Sequence, residues 1–236
     1  MTAADCAFFL TAENGLPVQD EKGSFVLDEE AVTAYVQSLA EEYDGYGRTR
    51  QFHSTRGDVI TIDGGTYGSK MDRKKETAYL LEHLLDPGVH TGTPQSHIPS
   101  YEREAFCYGK NDIGDTYIEV DMTEQKMYYY EKGVLKLETE IVTGNMRRRM
   151  GTPEGVNFVY NKQKNRVLRG PGYASPVKFW MPVKGGIGIH DAGWRKEFGG
   201  DIYQTAGSHG CINTPKDKME ELFDCVQIGT PVVMFY

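Results

Sequence analysis

The second half of the chain consists mainly of short runs of β-branched and aromatic residues separated by turn residues. Such runs are typical of strands in a largely antiparallel sheet. They predict strands at Thr116–Val120, Lys126–Tyr130, Val134–Thr143, Val156–Tyr160, Val177–Met181, Gly186–His190 and Pro231–Tyr236. Only Lys216–Val226 has a helical pattern in this half. Residues 109–236 are therefore predicted to form a mostly-β domain.

Residues 1–108 have a different pattern, with two helical segments around a hairpin. Asp28 is a good N-cap for an amphipathic helix over residues 29–43, and Asp72 begins a second helix that Pro87-Gly88 ends. Between them, residues 49–62 contain two strand-like runs around a turn, followed by a glycine-rich loop at 63–68. This predicts a small α+β unit with a boundary near residue 108.

Charge and hydropathy exclude several classes of function. The net charge of −8 disfavours a nucleic-acid partner held by phosphate contacts. No run of about 18 apolar residues is present, and the N-terminus lacks the regions of a signal peptide, so no membrane contact is predicted. These features fit either a cytoplasmic protein or an exported one whose leading segment is missing.

The four cysteines do not form a metal or redox motif. Cys6, Cys107, Cys211 and Cys225 contain no C-x-x-C pair, which argues against a zinc ribbon or a thioredoxin-like site. Cys225 lies in an apolar run and is predicted to be a small buried residue. Whether Cys6 pairs with Cys107 stays open.

One constellation has the composition of a nucleophilic site. His190 ends an apolar strand, and Ser208-His209-Gly210-Cys211-Ile212-Asn213 follows after residues 191–207. A cysteine nucleophile reacts as the thiolate and needs an imidazole to take its proton. We expect His190 to be that base, oriented by either the Asp191 carboxylate or a backbone carbonyl. The N–H groups of Gly210 and Cys211 are candidates for an oxyanion hole.

Two other interpretations of these residues are possible. His209 is a rival base, because it lies two residues from Cys211. His190, His209 and Cys211 also offer three zinc ligands, but the sequence supplies no fourth ligand and no glutamate base. We therefore predict no metal and no cofactor.

The spaced motif resembles the signature of the L,D-transpeptidase catalytic domain. In that pattern a histidine precedes Ser/Thr-His-Gly-Cys-apolar-Asn, and residues 143–144 and 152–155 resemble upstream elements of the same family. The resemblance covers residues 112–236. The order of elements in residues 1–108 resembles the peptidoglycan-binding domain that precedes this catalytic domain in Gram-positive bacteria.

The resemblance implies an α+β N-terminal domain followed by a mostly-β catalytic domain that is a β-sandwich. Cys211 would attack the carbonyl of the third residue of a peptidoglycan stem tetrapeptide, expel the terminal D-Ala and form a thioester. The side-chain amine of a second stem would resolve it, so the partners are donor and acceptor stems. Carbapenem-type β-lactams are expected inhibitors, and the expected location is extracytoplasmic, at the cell wall, with an anchor or export signal absent from this sequence.

Family roles carried over by position include the backbone carbonyl of Asp191 as the group that orients His190. The expected catalytic residues are Cys211, His190, His209 and Gly210, and the expected substrate-binding residues are Ser208, Asn213, Trp194, Arg195, Asp191 and Tyr173. Two alternatives stay open: an L,D-carboxypeptidase that uses water as acceptor, and a non-catalytic wall-binding protein. The sequence does not distinguish transfer from hydrolysis.

Overall fold

The structure of the chain is a computed structural model that describes residues 19–24, 26–84, 97–170 and 172–236, without the side chain of Tyr173. The helices are α1 (Glu29–Tyr43), α2 (Arg73–His83), α3 (Ile202–Ala206) and α4 (Lys216–Cys225). The strands are β1 (Arg50–His53), β2 (Val59–Ile62), β3 (Lys70–Met71), β4 (Tyr101–Arg103), β5 (Tyr117–Asp121), β6 (Lys126–Glu131), β7 (Val134–Glu140), β8 (Gly155–Phe158), β9 (Gln163–Gly170), β10 (Tyr173–Lys184), β11 (Ile187–Asp191), β12 (Ile212–Thr214) and β13 (Pro231–Phe235).

The first compact unit contains both predicted N-terminal helices. Asp28 caps α1 by accepting the N–H groups of Glu30 and Ala31, and Asp72 caps α2 in the same way. The buried faces of α1 and α2 form one apolar cluster with Met71, and β3 pairs with β4. Both helices are confirmed, while Pro87-Gly88 and Cys6 lie outside the described residues.

The predicted hairpin forms, with β1 antiparallel to β2. Its contacts assign it to the second unit, which comprises residues 46–68, 105–107 and 111–236. Phe52 and Ile62 pack against Val156, Val233 and Phe235 of the large sheet. Its position between the two helices in sequence predicts that it belongs to their unit, and this prediction is wrong. The hairpin instead packs on residues that are distant in sequence and covers one face of the large sheet.

The second unit is a β-sandwich, as expected. One sheet has the order β7-β6-β5-β13-β8 and the other the order β12-β11-β10-β9. Apolar residues from both sheets form a common core, and α4 adds its buried face to it; members of this core are Ile118, Val120, Met127, Phe179, Met181, Ile189, Ile212, Met219, Leu222 and Val232. The parallel pairing of β11 with β12 brings the two halves of the reactive motif together.

Several local predictions for the second unit were incomplete. We had not predicted β9, because its residues are largely exposed and polar and show no apolar alternation. The short α3 and β12 were also missed. The prediction that Cys225 is buried was wrong: it is exposed at the end of α4, whose buried positions are Met219, Leu222 and Phe223.

Candidate active site

His190 and Cys211 are brought together by the pairing of β11 with β12. The parallel register places His190 beside Asn213, and Cys211 immediately precedes β12. Paired residues of neighbouring strands face the same side of a sheet, so Asn213 lies on the same face as His190. Cys211 is two residues before Asn213, and alternate residues of a strand share a face, so Cys211 is placed on that side as well. The pairing of these two strands thus brings together His190 and Cys211, which are distant in sequence.

The ring of His190 is held in one orientation. Its Nδ1 lies 3.0 Å from the backbone oxygen of Asp191, and its ring centroid lies 5.8 Å from Trp180 and 5.9 Å from Trp194. Burial lowers the pKa of His190 below its usual value. A neutral ring that donates from Nδ1 leaves Nε2 as a proton acceptor.

Asn213 and Arg195 extend this network. Amide orientations are assigned from hydrogen-bonding partners, and here they direct the Asn213 nitrogen to His190 Nε2 at 3.2 Å. The Asn213 oxygen then accepts from Arg195 Nε at 2.6 Å. Arg195 also donates to the Ala206 carbonyl, at 2.8 Å. Asn213 therefore links the predicted base to a fixed guanidinium.

The loop before Cys211 is shaped by internal hydrogen bonds. The Ser208 hydroxyl donates to the Cys211 carbonyl at 2.6 Å and accepts from the Gly210 N–H at 3.0 Å. Gly210 has a φ of +115°, a conformation that favours glycine. Thr152 donates from Oγ1 to the Gly210 carbonyl at 2.8 Å. These bonds hold the turn that presents the cysteine.

The Cys211 thiol lies beside the backbone of β11. Its Sγ is 3.8 Å from the Gly186 carbonyl oxygen. Burial raises the pKa of Cys211, and a hydrogen bond from the Gly188 backbone partly offsets this rise. A raised thiol pKa beside a histidine with a lowered pKa favours the neutral pair at rest.

The two expected oxyanion donors differ in their surroundings. The Gly210 N–H is engaged by Ser208. Among the described residues, no acceptor is found for the Cys211 N–H, which is therefore available to a substrate oxygen. The loop offers one unoccupied donor of the two that we expected.

The remaining candidate residues are distributed around this centre. The Asp191 carboxylate accepts the backbone N–H of Phe179 at 2.7 Å, so the group that contacts Nδ1 of His190 is the carbonyl. Trp194 is 52% exposed, and His209 lines the same cavity as His190. The side chain of Tyr173 lies outside the described residues.

Two cavities meet at Cys211. The larger, of about 690 Å³, extends from Cys211 along β9 and reaches Tyr160 and Trp180. The smaller, of about 190 Å³, is lined by His190, Trp194 and Arg195, together with the Ser208–Cys211 loop. We name them the β9 cavity and the His190 cavity. Leu168 and Cys211 line both, so the two cavities adjoin at Cys211.

Comparison with known proteins identifies the family. Residues 115–234 match the model described as "L,D-transpeptidase catalytic domain". The chain belongs to the L,D-transpeptidase family. Residues 12–88 match a second model, described as "Putative peptidoglycan binding domain". A search of curated proteins finds no match.

Two solved structures of L,D-transpeptidases are similar over nearly the whole chain. A cysteine-to-serine mutant from Enterococcus faecium is 38% identical, with a TM-score of 0.81, over 100% of this chain and 90% of that chain. The carbamoyl enzyme that Ldtfm forms with avibactam is 39% identical, with a TM-score of 0.80, over 93% of this chain and 85% of that chain. Membership of this family implies acyltransferase activity.

Three residues of this L,D-transpeptidase site were given no role from sequence. Thr152 lay in a segment we noted only for its resemblance, and Trp180 only in a predicted strand. Gly188 has no room for a side chain, since an added Cβ would lie 2.5 Å from the Met181 carbonyl oxygen and 2.6 Å from Trp180. The sequence signal for this role was a glycine, Gly188, between two isoleucines just before His190.

The structure also bears on a zinc site and on a membrane span. Within the described ranges, no three or more His, Cys, Asp or Glu side chains are grouped so that they can hold a metal ion. His190, His209 and Cys211 are therefore not arranged as a ligand set. No helix in the described part of the chain combines the length and apolar character that a membrane span requires.

Proposed function

We propose that this L,D-transpeptidase joins the third residues of two peptidoglycan stem peptides through a thioester on Cys211. In the first step, His190 Nε2 takes the thiol proton while Sγ attacks the carbonyl carbon of the third stem residue. The Asn213 amide, which donates to Nε2 at rest, gives way to the thiol. The Asp191 carbonyl holds Nδ1–H and stabilises the imidazolium that forms.

The Cys211 N–H is the proposed donor to the oxyanion of the tetrahedral intermediate. Collapse of the intermediate breaks the bond to the terminal D-Ala, whose nitrogen takes the proton from His190 Nε2. The enzyme keeps the thioester. Because one imidazole gives this proton and later removes one from the acceptor amine, the leaving group and the acceptor must approach from the same side.

This requirement assigns the two cavities. The leaving D-Ala, and then the acceptor amine, occupy the His190 cavity, because the base lines it. The acyl part of the donor stem occupies the β9 cavity on the other side of Cys211. The acceptor amine attacks the thioester, loses its proton to His190 and releases Sγ, which takes that proton back. Four of the named substrate residues line this cavity and then border the acceptor: Trp194, Arg195, Ser208 and Asn213.

The observation that carries this proposal is the shared cavity of His190 and Cys211, with the histidine fixed through Nδ1. His209 shares the cavity, and we propose that it shapes the acceptor site without acting as the base. Residues 12–88, which match a peptidoglycan-binding domain model, would hold the enzyme on its polymer. We therefore propose that the protein acts at the cell wall, outside the cytoplasm.

β-Lactams of the carbapenem type are proposed inhibitors. Their strained amide offers Cys211 the same kind of carbonyl carbon and directs the oxyanion to the same N–H. The similar enzyme Ldtfm forms a carbamoyl adduct with avibactam, which supports covalent capture by electrophilic carbonyl compounds.

The test is the mass of the products formed from a purified disaccharide-tetrapeptide. A crosslinked dimer that lacks one D-Ala establishes transfer. A tripeptide without dimer establishes the carboxypeptidase alternative, with water in place of the acceptor amine. The control is alkylation of Cys211 by iodoacetamide, which shows that the thiol is reactive. If enzyme that passes this control leaves the substrate unchanged, the proposed function is overturned.

A further inference from the structure

The charges around the nucleophile are opposite in sign to the net charge of the protein. The chain has 34 acidic and 26 basic residues. Nevertheless, among the described residues, neither cavity at Cys211 is lined by aspartate or glutamate. Arg166 and Arg169 line the β9 cavity, and Arg195 lines the other. The site is thus a local cationic region on an acidic protein.

Arg195 is already engaged by the Ala206 carbonyl and Asn213. Arg166 and Arg169 are in a different state. Both are exposed on β9, and in the described parts of the chain neither has an ion pair or a hydrogen bond from its guanidinium. They border a cavity of about 690 Å³ that ends at the thiol.

One lysine on β9 and one on its partner strand β10 do have acidic partners. Lys164 lies 3.9 Å from Asp224, and Lys178 lies 2.9 Å from Glu220, both on α4. Neither lysine lines a cavity at Cys211. These two strands therefore carry lysines paired with acidic residues of α4, whereas Arg166 and Arg169, which line the β9 cavity, have no acidic partner among the described residues.

We propose that Arg166 and Arg169 select donor stems that carry a free carboxylate in their acyl part. Guanidinium groups bind carboxylates through paired, charge-assisted hydrogen bonds. This inference rests on the proposed function, which puts the acyl part of the donor in the β9 cavity. The carboxylate belongs to the α-carboxyl of a γ-linked second residue or to the side chain of the third residue.

The experiment compares kcat/KM for D-Ala release from matched disaccharide-tetrapeptides. One has both carboxylates free, one is amidated at the second residue, and one at the third. We expect amidation at one of the two positions to lower kcat/KM of the wild type about 10-fold. That position identifies the carboxylate. High salt should reduce the difference, because both arginines are exposed.

The variants are Arg166→Gln, Arg169→Gln and the double variant, with Lys164→Gln as a matched control. The control removes one positive charge from the same strand but outside the cavity. We expect the double variant to lose the preference for the free carboxylate and the control to keep it. Reaction of Cys211 with neutral iodoacetamide should be the same in all four, which shows an intact nucleophile.

Two outcomes contradict the proposal in different ways. If the wild type releases D-Ala equally from all three substrates, or the double variant keeps the preference, carboxylate selection is wrong and the proposed function stands. If no stem loses D-Ala while iodoacetamide still modifies Cys211, the proposed function falls and this inference falls with it.

Discussion

Thr152 and Gly210 are joined by a hydrogen bond of 2.8 Å from the threonine hydroxyl to the glycine carbonyl. The same hydroxyl accepts the Gly144 N–H at 2.9 Å, and Thr152 is buried. One side chain therefore ties the loop before Cys211 to the segment at residues 144–152. The position of Cys211 depends on a residue distant in sequence.

Thr152→Val tests this link, because valine has nearly the same shape but no hydroxyl. The Gly144 N–H and the Gly210 carbonyl would lose their partner, and an unsatisfied buried group costs about 1–3 kcal/mol. We expect a lower melting temperature and a lower rate of thiol acylation. Thr152→Ser, which keeps the hydroxyl, should remain near wild type. Wild-type acylation and stability in the valine variant would disprove the role.

His190 and His209 are distinguished by their separate replacement with alanine. General-base assistance is worth a factor of about 100 to 10,000, so His190→Ala should slow β-lactam acylation at pH 7 by that order. His209→Ala should have a much smaller effect. Stopped-flow measurement of the acylation rate provides the comparison. Equal or reversed effects would remove His190 from the role of base.

The pH dependence provides a separate test of the same pair. The lowered pKa of His190 keeps its ring neutral to lower pH than an exposed histidine, so wild-type acylation should persist below pH ~6.5. The raised pKa of Cys211 leaves little thiolate near neutral pH. Raising the pH should therefore partly rescue His190→Ala by ionising the thiol, and should leave His209→Ala little changed. A flat profile for His190→Ala would contradict this.

Cys211→Ala should abolish turnover and leave the fold intact, because the thiol makes weak contacts: 3.8 Å to the Gly186 carbonyl oxygen and a hydrogen bond from the Gly188 backbone. Intact-protein mass spectrometry with excess carbapenem should show one adduct on the wild type and none on the variant. Cys225→Ala is the matched control, since that thiol is exposed but outside the site. An adduct on Cys211→Ala would place the nucleophile elsewhere.

Substitutions of Asp191 test whether its carboxylate has a structural or a catalytic role. Its carboxylate accepts the Phe179 N–H, whereas its backbone carbonyl contacts His190. Asp191→Asn keeps an acceptor for that N–H and should retain acylation within a few-fold of wild type. Asp191→Ala should lower stability by about 1–3 kcal/mol. A loss of about 100-fold or more in the asparagine variant, with the melting temperature unchanged, would make the carboxylate part of the base.

The local sequence was sufficient for the elements that depend on neighbouring residues. Asp28 and Asp72 begin α1 and α2 as predicted, because an N-cap acts on N–H groups only two or three residues away. Most strands of the sandwich, though not β9 or β12, followed from their apolar patterning. The spaced motif was sufficient for the family, since its reactive residues are adjacent or separated by one connection.

Contacts between distant residues were decided only by the tertiary structure. The hairpin packs on the large sheet through Phe52 and Ile62, and β9 becomes a strand by pairing with β10, since its own residues lack apolar alternation. In the same way, Thr152 anchors the loop at Gly210, and Arg166 and Arg169 border the cavity at Cys211. Sequence patterns report a residue's burial and its near neighbours, whereas these roles arise from partners that only the folded chain brings within contact.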